Sequence, residues 1–450
     1  MKTAIVWLRR DLRLADNPAL CRAARAHDRV IPLYIHCPAS EGEGAAGAAS
    51  RVWLHHSLRV LSQEFENHGT SLVFKQGDPK QILSALCRAH DVTSVIWSAV
   101  YEPAIARRDA AIKAALAGIG VTVEELPGSL IVPPAEAVKD DGTPYKVFSP
   151  FWKRIGRPAL EALPPPLSVP TLADHGIRGE QLEGLGLLPD HGWYRKFDGL
   201  WTPGAAGAAA RLDDFIETGL ARYKAERDVP AAPATSRLSA HLHWGEITPN
   251  QIVHAVKAAG PLTAPAEKFF SELGWRDFGH LLLHHFPHTL TEPLNPRFAD
   301  FPWVEGDAAR DRLAAWQRGE TGFSLVDAGM QELWQTGTMH NRVRMVTASL
   351  LVKNLGIHWR EGGAWFWDTL LDADLANNTL GWQWVAGSGA DAAPYFRIFN
   401  PESQADKFDS KGEYRKRFLG PQWLTREVKP VIDLKKSREA ALAAYQQIKG

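Results

Sequence analysis

Residues 1–130 alternate short apolar runs with helical periodicity, and few folds accommodate that pattern. Ala4–Leu8, Val30–Ile35, Leu72–Phe74, Val95–Trp97 and Val121–Leu126 read as buried strands. Between them Leu54, Leu58, Leu61 and Phe65 recur at helical spacing, and Ala104–Leu116 reads as a further helix. The alternation implies a parallel, doubly wound, Rossmann-like sheet with helices on both faces. Ligands of such sheets gather at the carboxyl ends of the strands. After the first strand, however, stands Arg9-Arg-Asp-Leu-Arg13 in place of a G-x-G-x-x-G turn, so a standard dinucleotide site is not expected.

Residues 131–202 are rich in Pro and Gly around Pro164-Pro-Pro166 and read as an inter-domain connection. From Pro203 onward strand signals fade, and Ala206–Gly219, Asn250–Ala259 and Ala308–Arg318 carry helical patterns. The expectation is an α/β domain over 1–130, a linker over 131–202 and an all-α domain over 203–450 that holds a cofactor.

Lys+Arg and Asp+Glu both number 51 among 450 residues, so there is no whole-chain basic signature for nucleic acid. The last sixty residues carry a small basic surplus, twelve Lys/Arg against eight Asp/Glu. Cys21, Cys37 and Cys87 fit neither a metal site nor a redox pair and read as packing residues of a reducing compartment; no metal is expected. No leader layout and no apolar run near the ~18 residues of a membrane helix is visible, which suggests a cytoplasmic protein. Of seventeen tryptophans only Trp7, Trp53 and Trp97 precede residue 150. Core filling explains most indoles.

Asp372 to Trp384 is denser in chemistry. It packs two carboxylates, the amide pair Asn377-Asn378, and Trp382 and Trp384 into thirteen residues. Carboxylates and amides fix a polar ring, whereas indoles stack on flat rings or carry electrons. Upstream, Thr235-Ser-Arg-Leu-Ser239 follows a Pro/Ala-rich loop and suits either a phosphate at a helix start or an ordinary N-cap. In Glu272-Leu-Gly-Trp-Arg-Asp-Phe278, Glu272, Trp275 and Arg276 fall on one helical face, where a Glu272–Arg276 surface ion pair is the plainer reading. Met339-His-Asn-Arg-Val-Arg-Met345 places Asn341, Arg344 and Met345 on another.

In this order, and with Trp7–Leu14, Tyr101-Glu-Pro103, Gly142–Phe148 and Thr321–Met330, these motifs resemble the photolyase/cryptochrome family over nearly the whole chain. The resemblance looks closest to bacterial cyclobutane pyrimidine dimer photolyases of the class I/III kind. It implies a monomer that repairs UV-damaged DNA with light: reduced FAD lends an electron to the dimer, the cyclobutane ring splits, and the electron returns. Tyr223 with Thr235, Ser236, Arg237, Leu238 and Ser239 would hold the FAD phosphates. Arg344 and Asp372 would pair beside the flavin, with Asp374 near the ribityl chain and Asn378 facing N5. Glu272, Arg276 and Asn341 would also border the cofactor. For the lesion, Trp275 and Trp384 would form an aromatic wedge, Glu272 and Asn341 would bond the base edges, and Met345 would pack against it. Photolyases flip their target base out of the duplex. Arg342, Arg397, Gln404 and Lys407 would touch the DNA backbone. Trp382, Trp359 and Trp303 match the family's electron relay, with Trp316 as the alternative exit.

The chain departs from the pattern at Asp277, where many members carry Glu, at Thr338, where a Trp is common, and at Ala104-Ile105, where some relatives have an Asn-Glu pair for a folate antenna. An antenna is expected, 5,10-methenyltetrahydrofolate first, with deazaflavin or an empty site as the alternatives. The rivals are a cryptochrome photoreceptor, a (6-4) photolyase and a dark flavin oxidoreductase. The first is opposed by the intact substrate positions. The second lacks a histidine to partner His340, and the third lacks a nicotinamide fingerprint.

Overall fold

A computed structural model describes residues 2–392, 396–425 and 427–449. Five parallel strands, β1 (Thr3–Leu8), β2 (Arg29–His36), β3 (Val73–Gln76), β4 (Val92–Ser98) and β5 (Thr122–Leu126), stand in the order β3-β2-β1-β4-β5. They alternate with α1 (Pro18–Ala26), α2 (Ala48–Asn67), α3 (Pro79–Ala89) and α4 (Pro103–Ala117). Asn17 and Asp78 cap α1 and α3 by accepting from Leu20 N and Gln81 N, with proline at each first helical position.

Both sheet faces are covered, as the continuous apolar strands require. Val6 and Leu8 pack with Leu54, Leu58, Leu61 and Phe65 of α2, whereas Ile5, Trp7 and Leu33 pack with Leu83, Ile112 and Leu116. The doubly wound α/β reading therefore holds, with one correction. β5 is not a buried strand: it is an edge, its Glu124 and Glu125 reaching out to pair with Arg22 and Lys113. Charged side chains suit an edge because they oppose pairing with other chains.

Residues 131–202 divide their packing. Ile131, Val132, Tyr145, Phe148 and Phe151 join the core of the helical half, while Leu172, Leu182, Leu185 and Phe197 return to the α/β core. Beyond β5 the described residues form helices, with one isolated backbone pairing of Val138 and Pro144. An all-helical second half was the expectation.

The two halves meet at the carboxyl ends of β1 and β4. Leu12 N donates to Trp244 O at 3.1 Å, and Arg13 Nη1 to Gly245 O at 2.9 Å. Gly245 has φ +66°, and a Cβ there would stand 2.0 Å from Arg10 O, so only glycine fits this contact. The Trp7–Leu14 motif is thus a clasp between the halves, which explains why polar residues stand where a nucleotide turn would be.

Candidate active site

The helical half contains a cavity of about 740 Å³, within the range of cofactor and ligand sites. Its walls come mainly from three helices, Ala264–His285, Asn341–Ser349 and Leu375–Ala386. Helical spacing sends Glu272 and Trp275 of the first, Asn341, Arg344 and Met345 of the second, and Asn378, Trp382 and Trp384 of the third into one space.

One wall is a polar clamp. Arg344 Nη2 donates to both carboxylate oxygens of Asp372 at 2.9 Å, and Arg344 Nε to Met339 O at 2.7 Å. Ser239 Oγ donates to Asp372 Oδ2 at 2.6 Å. Asp374 caps the 375–386 helix, accepting from Asn377 N at 2.9 Å and Asn377 Nδ2 at 2.7 Å. Burial raises the Asp374 pKa, but His280 and His243 outweigh it and hold the carboxylate well below its usual range. Asn378 Nδ2 donates to Gly363 O at 3.0 Å, which fixes the orientation of that amide. Asn377 lines the cavity as well.

The opposite side is aromatic. Trp275 stacks on Phe148 at 4.0 Å with planes 12° apart. Trp384 lies under the Arg397 guanidinium, 5.6 Å from its ring. Glu272 is held by Arg227 and by Lys268 Nζ at 2.7 Å, and not by Arg276 as an i,i+4 surface pair would have it. Arg342 pairs with Asp228 at 2.8 Å and covers the Phe408 ring at 4.6 Å. Arg227, Asp228 and Lys268 were missed by sequence reasoning. They lie in no motif of their own and join the site only through the fold.

Other expected residues stand off these walls. Arg276 turns to the interface between the halves, donating to Ser129 O at 2.8 Å and Leu242 O at 3.3 Å. Tyr223 is buried against Phe215 and Phe269. Thr235–Leu238 precedes the Ser239–Trp244 helix, and Arg237 has φ +53° with its guanidinium 4.8 Å from the Trp201 ring. A non-glycine residue in that region is strained, a feature that concentrates at functional sites. Gln404 lies on the Pro401–Phe408 helix, half-buried, and Lys407 is exposed.

Trp382 is buried with its ring 5.0 Å from Phe366 and 6.1 Å from Trp316. A Cβ on Gly362 would come within 2.1 Å of the Trp382 ring, so a glycine is needed for this approach. Trp359 and Trp303 flank His358 at 5.4 and 5.0 Å. Trp382 thus neighbours Trp316 and Phe366, while Trp359 and Trp303 both neighbour His358.

The carboxylate–guanidinium pair, fixed amide and facing indoles can hold a planar, hydrogen-bonding ring system and stack a second flat group beside it. Comparison with known proteins gives the same direction. The DNA photolyase profile matches residues 4–168, and that of the FAD binding domain of DNA photolyase matches residues 269–423. A deoxyribodipyrimidine photo-lyase of Agrobacterium fabrum is 42% identical, the match covering 100% of this chain and 99% of that one. Cryptochrome-2 of Arabidopsis thaliana is 34% identical over 99% of this chain and 79% of its own length. The solved structure of a bacterial class III photolyase from Agrobacterium tumefaciens superposes with a TM-score of 0.92 at 41% identity, covering 100% of this chain and 98% of that one.

Proposed function

The chain belongs to the photolyase/cryptochrome family, and we propose that it splits cyclobutane pyrimidine dimers in UV-damaged DNA, using light and FAD bound in the large cavity. The observation that carries this reading is the meeting of the Arg344–Asp372 clamp with Trp275 and Trp384 in one space. When bound, FAD supplies the light-driven electron that opens the cyclobutane ring.

The chain's own residues position and exclude. Arg344, Asp372, Asp374 and Asn378 orient the flavin. Thr235–Ser239 and Tyr223 face its phosphates by resemblance to the family, and the strained backbone at Arg237 supports a functional turn there. Trp275 and Trp384 stack on the flipped bases, Glu272 and Asn341 bond their edges, and Met345 packs against them. Arg342, Arg397, Gln404 and Lys407 contact phosphates, with the salt dependence that follows. Trp382, Trp359 and Trp303, with Trp316 as the alternative exit, would carry electrons from the surface to re-reduce oxidised flavin.

We assign residues 1–130 to antenna binding and 203–450 to catalysis, in a monomer of the cytoplasm. A crevice between Tyr34, His36, Glu41 and Arg108 at the strand ends supports an antenna, 5,10-methenyltetrahydrofolate before deazaflavin. The likeness to plant cryptochrome-2 keeps signalling as the second reading. Matched oligonucleotides with a cyclobutane dimer or a (6-4) product, lit with blue light, separate these: repair of the first alone supports the proposal, and repair of the second alone or of neither refutes it.

A further inference from the structure

Between the two halves lies a second cavity of about 40 Å³. Arg10, beyond β1, and Ser98 to Glu102, closing β4, form one side; His243, Arg276, His280 and Asp374 of the helical half form the other. It stands between β1 and β4, where the strand order reverses, the place doubly wound sheets use for ligands. Glu102 Oε2 and both His280 ring nitrogens have no hydrogen-bond partner, although these residues are only 3% and 7% exposed. His280 Nε2 is 3.3 Å from Asp374 Oδ2, outside hydrogen-bond alignment. Asp374 lines both this cavity and the large one.

An unpartnered buried polar atom costs about 1–3 kcal/mol. A polar cavity can hold water once it offers roughly 10–15 Å³, so this one has room for water. We propose that the cavity is a water site joining Glu102 to His280 and Asp374, and that Glu102 is the proton store from which reduction of the bound cofactor draws. This rests on the reading that FAD fills the large cavity beside Asp374. One-electron reduction of bound flavin by an added thiol calls for one proton. The Glu102 O–H bond breaks and its proton enters the water cluster. An equivalent proton leaves the cluster past the Asp374 carboxylate, which stays ionised, for the flavin. The thiol gives up one electron and becomes a thiyl radical, its S–H proton passes to bulk water, and bulk water later reprotonates Glu102. Burial pushes the Glu102 carboxyl up to about 7, against the opposing pull of Arg10, whose Nη2 is 3.8 Å away. Asp374 and Glu41 raise it further and His280 lowers it. A carboxyl that changes charge near neutrality suits proton transfer.

The test is infrared spectroscopy of the flavin-loaded protein, repeated after flavin removal, across about pH 5 to 9. A protonated-carboxyl band that titrates near neutrality, survives flavin removal and is missing from E102Q is expected. E102Q should also slow thiol-driven photoreduction by about tenfold or more at pH 6, where wild-type Glu102 carries its proton, with flavin content unchanged, and the difference should shrink by pH 8. H280N should keep the band and show the same slowing. Absence of the band, or wild-type reduction rates and pH profile in E102Q, overturns the proposal. A protein that shows the band but binds no FAD overturns the functional reading and the flavin-linked role, leaving only the acid at Glu102.

Discussion

Arg344 donates to both oxygens of Asp372 at 2.9 Å, and Asp372 is the buried partner of the two. Removing the carboxylate strands a guanidinium that faces the cavity. Breaking a buried pair costs roughly 3–5 kcal/mol, and the partial exposure of Arg344 lowers this to about 2 kcal/mol. Asp372→Asn should therefore lower the unfolding free energy of flavin-free protein by about 2 kcal/mol, as read by denaturant titration.

The Trp275 indole is pre-set by its stack on Phe148. Trp275→Ala should weaken binding of dimer-containing DNA by about 10–100-fold, since stacking is worth ~1–3 kcal/mol per base. Affinity for FAD should be unchanged, and a parallel titration of both ligands checks the separation.

Trp382→Phe should stop photoreduction of oxidised flavin while leaving repair by chemically pre-reduced protein intact. Flash spectroscopy and a repair assay on the same sample decide this. Loss of both would refute the relay assignment, because Phe keeps the packing with Phe366 and Trp316.

Gly362→Ala would place a methyl 2.1 Å from the Trp382 ring. Overpacking of this kind costs about 1–3 kcal/mol. A lowered Tm together with shifted tryptophan emission is the expected result, read by calorimetry and fluorescence.

Asp277 predicts a pH dependence of stability. Burial pushes its carboxyl up to about 6, while Arg276 and the N–H groups of Val132 and Ile131 pull it back. A raised folded-state pKa favours the protonated form, so this contribution is fully present below about pH 4 and is lost as pH rises through 6. Asp277→Asn mimics the protonated acid. Its advantage over wild type should grow from near zero at pH 4 to on the order of 2–3 kcal/mol at pH 8, measured by denaturant unfolding at both values.

Much of this was legible in sequence because it depended on local period. Leu54, Leu58, Leu61 and Phe65 fall every three or four residues and share one buried face. The polar clamp was legible because Asp372, Asp374 and Asn378 crowd one segment. Arg276 shows the limit: it shares a helix with Trp275 yet faces the other half of the molecule, since side-chain direction there is decided by Ser129 and Leu242. Arg227 and Lys268, which hold Glu272, could not be chosen among 51 basic residues without tertiary contacts. The exposed β5 was misread because an apolar run does not tell a central strand from an edge.

Repair itself tests the central claim most directly. Protein carrying reduced FAD, mixed with an oligonucleotide bearing one thymine cyclobutane dimer, should restore two thymines under blue light and none in the dark, as followed by chromatography. Intact dimers after illumination of protein shown to hold reduced FAD and to bind the oligonucleotide would contradict the account.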